Sequence, residues 1–333
     1  MKAFFRFLIG LVLVLALGVA GLCWYFSSQI IFPNRKAPDL QSEWISQTRS
    51  LDPQRFPLPE KFEVSGVDEA PIVGWYFAQV TPANCAVVMG HGWGESRSQP
   101  LKWADILWDC GCDVVTYDHR GHGDSGGEHG TGGFKESYDL VRVTEWLERK
   151  TGLPRERIAW FGVSWGAGTS LQAGAREDIA FIIADSPFQD WETAVMERAE
   201  RMYGGWVNYI KDWVMSLAAW RAGVDYHQAS ALTGAADIQA PVLIIHSKTD
   251  EATASFQSVN LDKALNPERH VFHHLDWGAG HIGDLDARPE EYRNLVLQFV
   301  HDKVGSFGVC GPEELPEIDP EIMDNFFEEI NRQ

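Results

Sequence analysis

Read along the chain, apolar and polar positions fall into three regimes. Residues 7–26, from Phe7 to Phe26, form an apolar run without a charge, preceded by Lys2 and Arg6. At a helical rise of 1.5 Å per residue this run spans about 30 Å, the hydrocarbon thickness of a bilayer. Residues 33–59 are rich in proline and polar side chains and read as a linker and lead-in. Beyond them, short apolar runs alternate with segments of helical spacing. Strands are predicted at 61–64, 72–77, 85–89, 113–117, 158–161, 179–184, 242–245 and 270–275. Helices are predicted at 101–109, at 135–150 with Leu140, Val143 and Leu147 on one face, at 167–175, and at 288–303. That alternation predicts an α/β fold, a mostly parallel sheet with helices on both faces.

One insertion breaks the rhythm. More than fifty residues separate the 179–184 strand from the 242–245 strand, and they hold two helical stretches, 191–202 and 206–222. They carry Trp191, Tyr203, Trp206, Tyr209, Trp213, Trp220 and Tyr226. Because they leave the carboxyl end of the sheet, where ligands bind in such folds, they read as a small helical cap. The aromatics are either packing or substrate contacts. The division expected is a transmembrane signal anchor at 1–30, a linker at 31–60, a main domain at 61–305 with its cap at 188–240, and a tail at 306–333.

The chemistry sits in the loops after the strands. Gly162-Val163-Ser164-Trp165-Gly166 follows one apolar run and opens a small-residue helix. A Gly-x-Ser-x-Gly turn in strand–helix context exposes the serine hydroxyl, and the helix N-terminus favours developing negative charge beside it. A serine hydroxyl needs a base to take its proton and an acid to orient that base. In this chain order both follow the serine. His281, in Gly278-Ala279-Gly280-His281 after the last strand, is the base. Asp250, just after the 242–245 strand, is the acid; Asp185 is its rival, and Asp276 is too close in sequence to His281. Glycine-rich Gly90-His91-Gly92-Trp93-Gly94 can aim a backbone N–H at a carbonyl oxygen, so the N–H groups of Trp93 and Trp165 form the expected oxyanion hole. His91 supports that loop.

These residues resemble an α/β-hydrolase of the membrane-anchored, short-cap kind. The resemblance rests on His91-Gly92-Trp93-Gly94, Asp118-His119-Arg120-Gly121-His122-Gly123-Asp124-Ser125, the serine turn, Asp185-Ser186-Pro187-Phe188, Asp250 and His281, and covers about residues 60–305. It implies an eight-stranded, mostly parallel sheet, a catalytic triad above its carboxyl edge, and a structural role for Asp118, Arg120, Gly121 and Gly123. Tryptophan at both 93 and 165 departs from the common pattern and would narrow the acyl pocket. Serine at 164 argues against the haloalkane dehalogenase and epoxide hydrolase branches, which use aspartate. The expected activity is a membrane-anchored serine hydrolase acting on a carboxylic ester or thioester, a lipid among the candidates. The alternatives are a serine amidase or peptidase of the same fold, or a non-catalytic binding or scaffold protein.

Charge and cysteine narrow this further. The net charge of −19 disfavours nucleic acid and anionic membrane surfaces as partners. Residues 311–333 hold eight acidic residues and one basic one, a terminus with either a partner-binding or a merely docked role. No metal or organic cofactor is implied. The five cysteines read as buried thiols, with Cys110–Cys112 or Cys85–Cys310 as the conceivable disulfides in an oxidising compartment. The apolar run is longer than a signal-peptide core, which favours a retained anchor over a cleaved leader. Lys2 and Arg6 before it nearly balance Arg35 and Lys36 after it, and the expectation leans to a domain outside the cytoplasm.

Overall fold

The computed structural model describes residues 1–40 and 57–308. Most of the expected linker, and nearly all of the acidic tail, lie outside the described residues. Eight strands form one sheet: β1 (Glu60–Ser65), β2 (Pro71–Phe77), β3 (Ala86–Gly90), β4 (Asp113–Tyr117), β5 (Ile158–Val163), β6 (Ile182–Asp185), β7 (Val242–Ser247) and β8 (His270–Leu275). Their order is β1-β2-β4-β3-β5-β6-β7-β8; β1 and β2 pair antiparallel with their neighbours, and the remaining pairs are parallel. The longer helices are α1 (Lys2–Ile31), α2 (Phe134–Thr151), α3 (Trp165–Gly174), α4 (Trp191–Tyr203), α5 (Lys211–Ala222), α6 (Phe256–Ala264) and α7 (Pro289–Phe299).

The central strands are continuously apolar because both faces of the sheet are covered. Successive side chains point to opposite faces. Val87, Met89, Ala159 and Phe161 therefore enter one apolar cluster with Trp103, Tyr292 and Val296. Ala86, Val88, Ile158 and Trp160 enter the other, with Leu140 of α2, Leu171 of α3 and Leu261 of α6. A third cluster lies above the carboxyl edge, where Trp165, Phe188 and Trp191 pack with Met215, Ala218 and Ala222 of α5 and with Ile31 of α1. Among the described residues one helix, α1 at the N-terminus, is long and apolar enough to cross a membrane.

Several elements differ from the pattern reading. The stretch expected as one helix from Trp206 is split: Val207 and Ile210 bond three residues back, a tight turn, and α5 begins only at Lys211. The run expected as a strand from Ile179 becomes strand only at Ile182. Helix α6 was not foreseen. The cysteine reading is corrected outright: Cys85 is bonded to Cys112, and Cys110 is disulfide-bonded as well. The cause is register. Parallel pairing sets Ala86 opposite Asp113, so the residues just before β3 and β4 meet with their Cα atoms 4.6 Å apart. Among the described residues only Cys23 is a free thiol.

Candidate active site

Ser164 stands between β5 and α3 with φ 52° and ψ −110°, a backbone strained for a residue with a Cβ. Its N–H donates to Asp185 O at 2.8 Å, and its own carbonyl accepts from the N–H groups of Ala167 and Gly168. The turn closes only because its flanks lack side chains. A Cβ on Gly162 would sit 2.2 Å from the Gly166 carbonyl, and one on Gly166 would sit 2.3 Å from Gly90 O.

The structure brings Ser164, His281 and Asp250 together. Nε2 of His281 lies 2.8 Å from Ser164 Oγ, and Nδ1 lies 2.6 Å from Asp250 Oδ2. The loop that aims the imidazole is tied at several points. Ser247 and Thr249 hydroxyls both donate to Ala279 O, at 2.7 and 2.6 Å. Ile282, at φ 50°, is a β-branched residue in the left-handed region, and its N–H faces Ser186 Oγ at 3.4 Å.

Asp250 is held by more than His281. Its Oδ1 accepts the N–H groups of Ala252 and Thr253 at 2.7 and 2.9 Å, and its Oδ2 also meets His246 Nε2 at 3.0 Å. Burial alone would raise its pKa. The bonds from His246 and His281 outweigh that and hold the carboxyl well below the usual carboxylate range. Asp185 is placed otherwise: Ser186 Oγ donates to Oδ1 and Tyr292 OH to Oδ2, while burial pushes its pKa up. Asp276 is turned to Lys248 at 3.6 Å. Asp284, just beyond His281, is fully buried, and its carboxyl oxygens have no hydrogen-bond partner among the described residues. Burial, with Asp185 and Asp250 nearby, pushes it up to about 7.

His246 is the residue the sequence reading left unassigned. It is the penultimate residue of β7, four positions before Asp250, fully buried, and its Nδ1 meets Ser258 Oγ at 2.6 Å. The only signal in the sequence was that spacing, which could equally describe a core histidine.

The Gly90–Gly94 loop approaches the serine closely. A Cβ on Gly92 would lie 3.5 Å from Ser164 Cβ. His91 accepts from His119 N–H through Nε2 at 3.0 Å, so its Nδ1 carries the proton and faces Gly92 O at 2.7 Å. His122 Nε2 accepts from Gly94 N–H at 3.1 Å. Burial depresses both imidazoles, to about 4 and about 3, which keeps them neutral. The N–H groups of Trp93 and Trp165 make no hydrogen bond among the described residues, and the two indole rings lie 4.5 Å apart. Behind this loop Asp118 pairs with Arg97 and accepts from Asp124 N–H at 2.9 Å, while Arg120 pairs with Asp139 at 2.7 Å.

A cavity of about 480 Å³ opens over Ser164. Of the cap aromatics, Trp191 and Tyr203 line it, whereas Tyr209, Trp213 and Trp220 are exposed on the outer side. Phe26, Gln29 and Ile30 of α1 line it as well, which the sequence reading did not anticipate.

Comparison with known proteins agrees with this architecture. A family model described as the alpha/beta hydrolase fold matches residues 86–212. The Bacillus subtilis protein YqkD is 32% identical over 252 residues, covering 72% of this chain and 77% of its own length. Lysophosphatidylserine lipase ABHD12 of Macaca fascicularis is 24% identical over 189 residues, covering 53% of this chain and 44% of that protein. The Pyrococcus furiosus esterase Pf2001 superposes with a TM-score of 0.63 at 22% identity, covering 82% of this chain and 100% of the esterase. With β3 through the serine turn inside the matched family region, and YqkD aligned over most of both chains, this protein belongs to the alpha/beta hydrolases.

Proposed function

We propose that this chain is a membrane-anchored serine hydrolase that cleaves a carboxylic ester or thioester through an acyl-enzyme. The observation that carries the reading is the hydrogen-bonded line from Ser164 Oγ to His281 Nε2 and from His281 Nδ1 to Asp250. Ser164 attacks the acyl carbon as His281 takes its proton. Asp250, kept ionised, fixes the imidazole with its free lone pair toward the serine and stabilises the imidazolium. The N–H groups of Trp93 and Trp165 receive the charge that develops on the carbonyl oxygen. The carbon–leaving-group bond then breaks as His281 returns the proton to the leaving oxygen or sulfur. Water, deprotonated by the same imidazole, cleaves the acyl-serine and regenerates the hydroxyl.

Three further observations support the setting. The exposed apolar length of α1 supports anchoring in a bilayer. The Cys85–Cys112 bond supports a domain in an oxidising compartment, outside the cytoplasm. ABHD12, a lysophosphatidylserine lipase, supports a lipid ester as substrate.

A fluorophosphonate probe tests the reading. It should label the wild-type protein at Ser164 and fail on Ser164→Ala, and p-nitrophenyl esters should be turned over by the first alone. Folded wild-type protein that takes no label would remove the proposal. Faster release from a p-nitroanilide than from the matching ester would reassign it to an amidase.

A further inference from the structure

The geometry points to α1 being a wall of the acyl site rather than a tether, so that the cavity over Ser164 takes a long-chain acyl ester directly from the bilayer leaflet. This rests on the hydrolase reading above and deepens it.

The end of α1 is built into the cap. Arg221 of α5 donates to Ser27 Oγ at 2.7 Å and Ser28 Oγ at 2.9 Å, and its guanidinium lies 4.0 Å from the centre of the Trp24 ring. Phe26 meets Tyr203 edge-on at 5.1 Å and Trp206 at 6.1 Å. Ile31 is fully buried with Trp165, the residue next to the proposed nucleophile. The exit from the helix is fixed too: Gly130 N–H donates to the carbonyl of Ile31, the last residue of α1, at 2.8 Å, and Arg35 beyond it donates to Ser125 O and Gly127 O at 2.9 and 2.6 Å. A loose tether makes none of these contacts. Phe26 and Ile30 line the same cavity as Ser164, together with Val195, Met202 and Val207 of the cap. Apolar side chains thus line the cavity from both the α1 side and the cap side, with Gln29 of α1 and Arg198 and Lys211 of the cap as polar members of the lining.

The outer surface says where this cavity sits. Tryptophan and tyrosine favour the membrane–water boundary, where an apolar ring meets a wet polar tip. On α1 that boundary falls at Trp24 and Tyr25, near the carboxyl end of the apolar run, which are about half exposed. The cap helices packed beside it expose Trp206, Tyr209, Trp213 and Trp220, the last at 76%. In water these rings would form an apolar surface of the kind a soluble domain seldom leaves uncovered. Beside a spanning helix they join its aromatic belt, and the cleft between α1 and the cap opens at the level of the lipid ester bonds. A leaflet lipid then enters chain-first between Phe26 and the cap and presents its ester to Ser164 without crossing water.

The full-length protein in phosphatidylcholine vesicles tests both halves. Ile30→Trp fills the α1 side of the cavity. Its ratio of kcat/KM for p-nitrophenyl palmitate over p-nitrophenyl acetate should fall at least about tenfold, the scale of overpacking an apolar site. Fluorophosphonate labelling reports whether the variant is folded, and Phe26→Trp provides a second filling position. An unchanged ratio in labelled protein would overturn the acyl-site role of α1. In the second measurement, lipids brominated near the head group should quench wild-type fluorescence strongly, and the Trp206→Ser/Trp213→Ser/Trp220→Ser variant much less. Equal quenching would place those rings in water and overturn the membrane-facing cap. Wild-type protein that takes no label would instead sink the hydrolase reading, while the quenching result would stand on its own.

Discussion

Nδ1 of His281 lies 2.6 Å from Oδ2 of Asp250, although the two residues come from different loops at the carboxyl edge of the sheet. That pairing fixes which imidazole nitrogen faces Ser164. The proposed chemistry depends on it, because a neutral imidazole can accept a proton only at the nitrogen that does not already carry one.

If the three groups act as a unit, their losses do not add. Ser164→Ala and His281→Ala should each lower kcat for a p-nitrophenyl ester to near background. Asp250→Asn, which leaves the shape but favours the wrong tautomer, should cost on the order of 10⁴-fold. Steady-state rates with the double variant Ser164→Ala/Asp250→Asn check this. A drop equal to the sum of the single losses would mean that the residues act separately.

His246 shares the Asp250 carboxylate with His281 at 3.0 Å and acts as a positioning residue. Removing one hydrogen bond to a charged group costs about 1.5–3 kcal/mol, roughly 10- to 100-fold if expressed fully in the rate. His246→Ala should lower kcat on that scale. His246→Gln, which can still donate to the Asp250 carboxylate, should restore much of that loss. An equal rate loss in His246→Gln would leave His246 only a packing role.

The Cys85–Cys112 bond closes a loop with a sequence separation of 27. Loop-closure entropy for that length amounts to about 3.5 kcal/mol at 25 °C. The Cys85→Ala/Cys112→Ala protein should unfold at correspondingly lower denaturant concentration. Because the bond sits before β3 and β4, away from the carboxyl edge, fluorophosphonate labelling of the folded variant should persist.

Acid should destabilise the fold well above the range where ordinary carboxylates titrate. His91 and His122 are depressed by burial from 6.5 to about 4 and about 3, and His119 is depressed as well. The unfolded chain therefore binds more protons below pH 6.5, and stability falls as pH drops from there toward 4. Asp284 acts in the opposite sense. Its raised pKa of about 7 makes the folded state bind the extra proton, so its contribution is lost as pH rises through 7. Melting temperatures across pH 4–8 should decline on the acid side for the wild type. Asp284→Asn should gain stability over the wild type mainly above pH 7; an equal gain at pH 5 would contradict the sign.

Much of the architecture was legible in the chain because local rules force it. A strand covered on both faces must be continuously apolar, and Ala86–Gly90 and Ile158–Val163 are. A serine turned out between strand and helix needs Gly162 and Gly166, whose missing Cβ atoms are the mark that identified it. The chain order of Ser164, Asp250 and His281 follows from the sheet topology. Helix α6 escaped because Phe256–Ala264 has almost no amphipathic pattern of its own; Leu261 against the sheet, a tertiary contact, holds it helical.

The sequence by itself determined the layered α/β sheet, the serine turn and the apolar α1, because each is encoded by neighbours within a few residues. Only the tertiary structure decided that Cys85 meets Cys112, that His246 stands behind Asp250, and that Phe26 and Ile30 of α1 line the cavity over Ser164. The disulfide depends on strand register, the His246 contact on the path of the loop after β7, and the α1 lining on the docking of segments more than a hundred positions apart. Distances of that kind are fixed by the packed whole, and no periodicity along the chain records them.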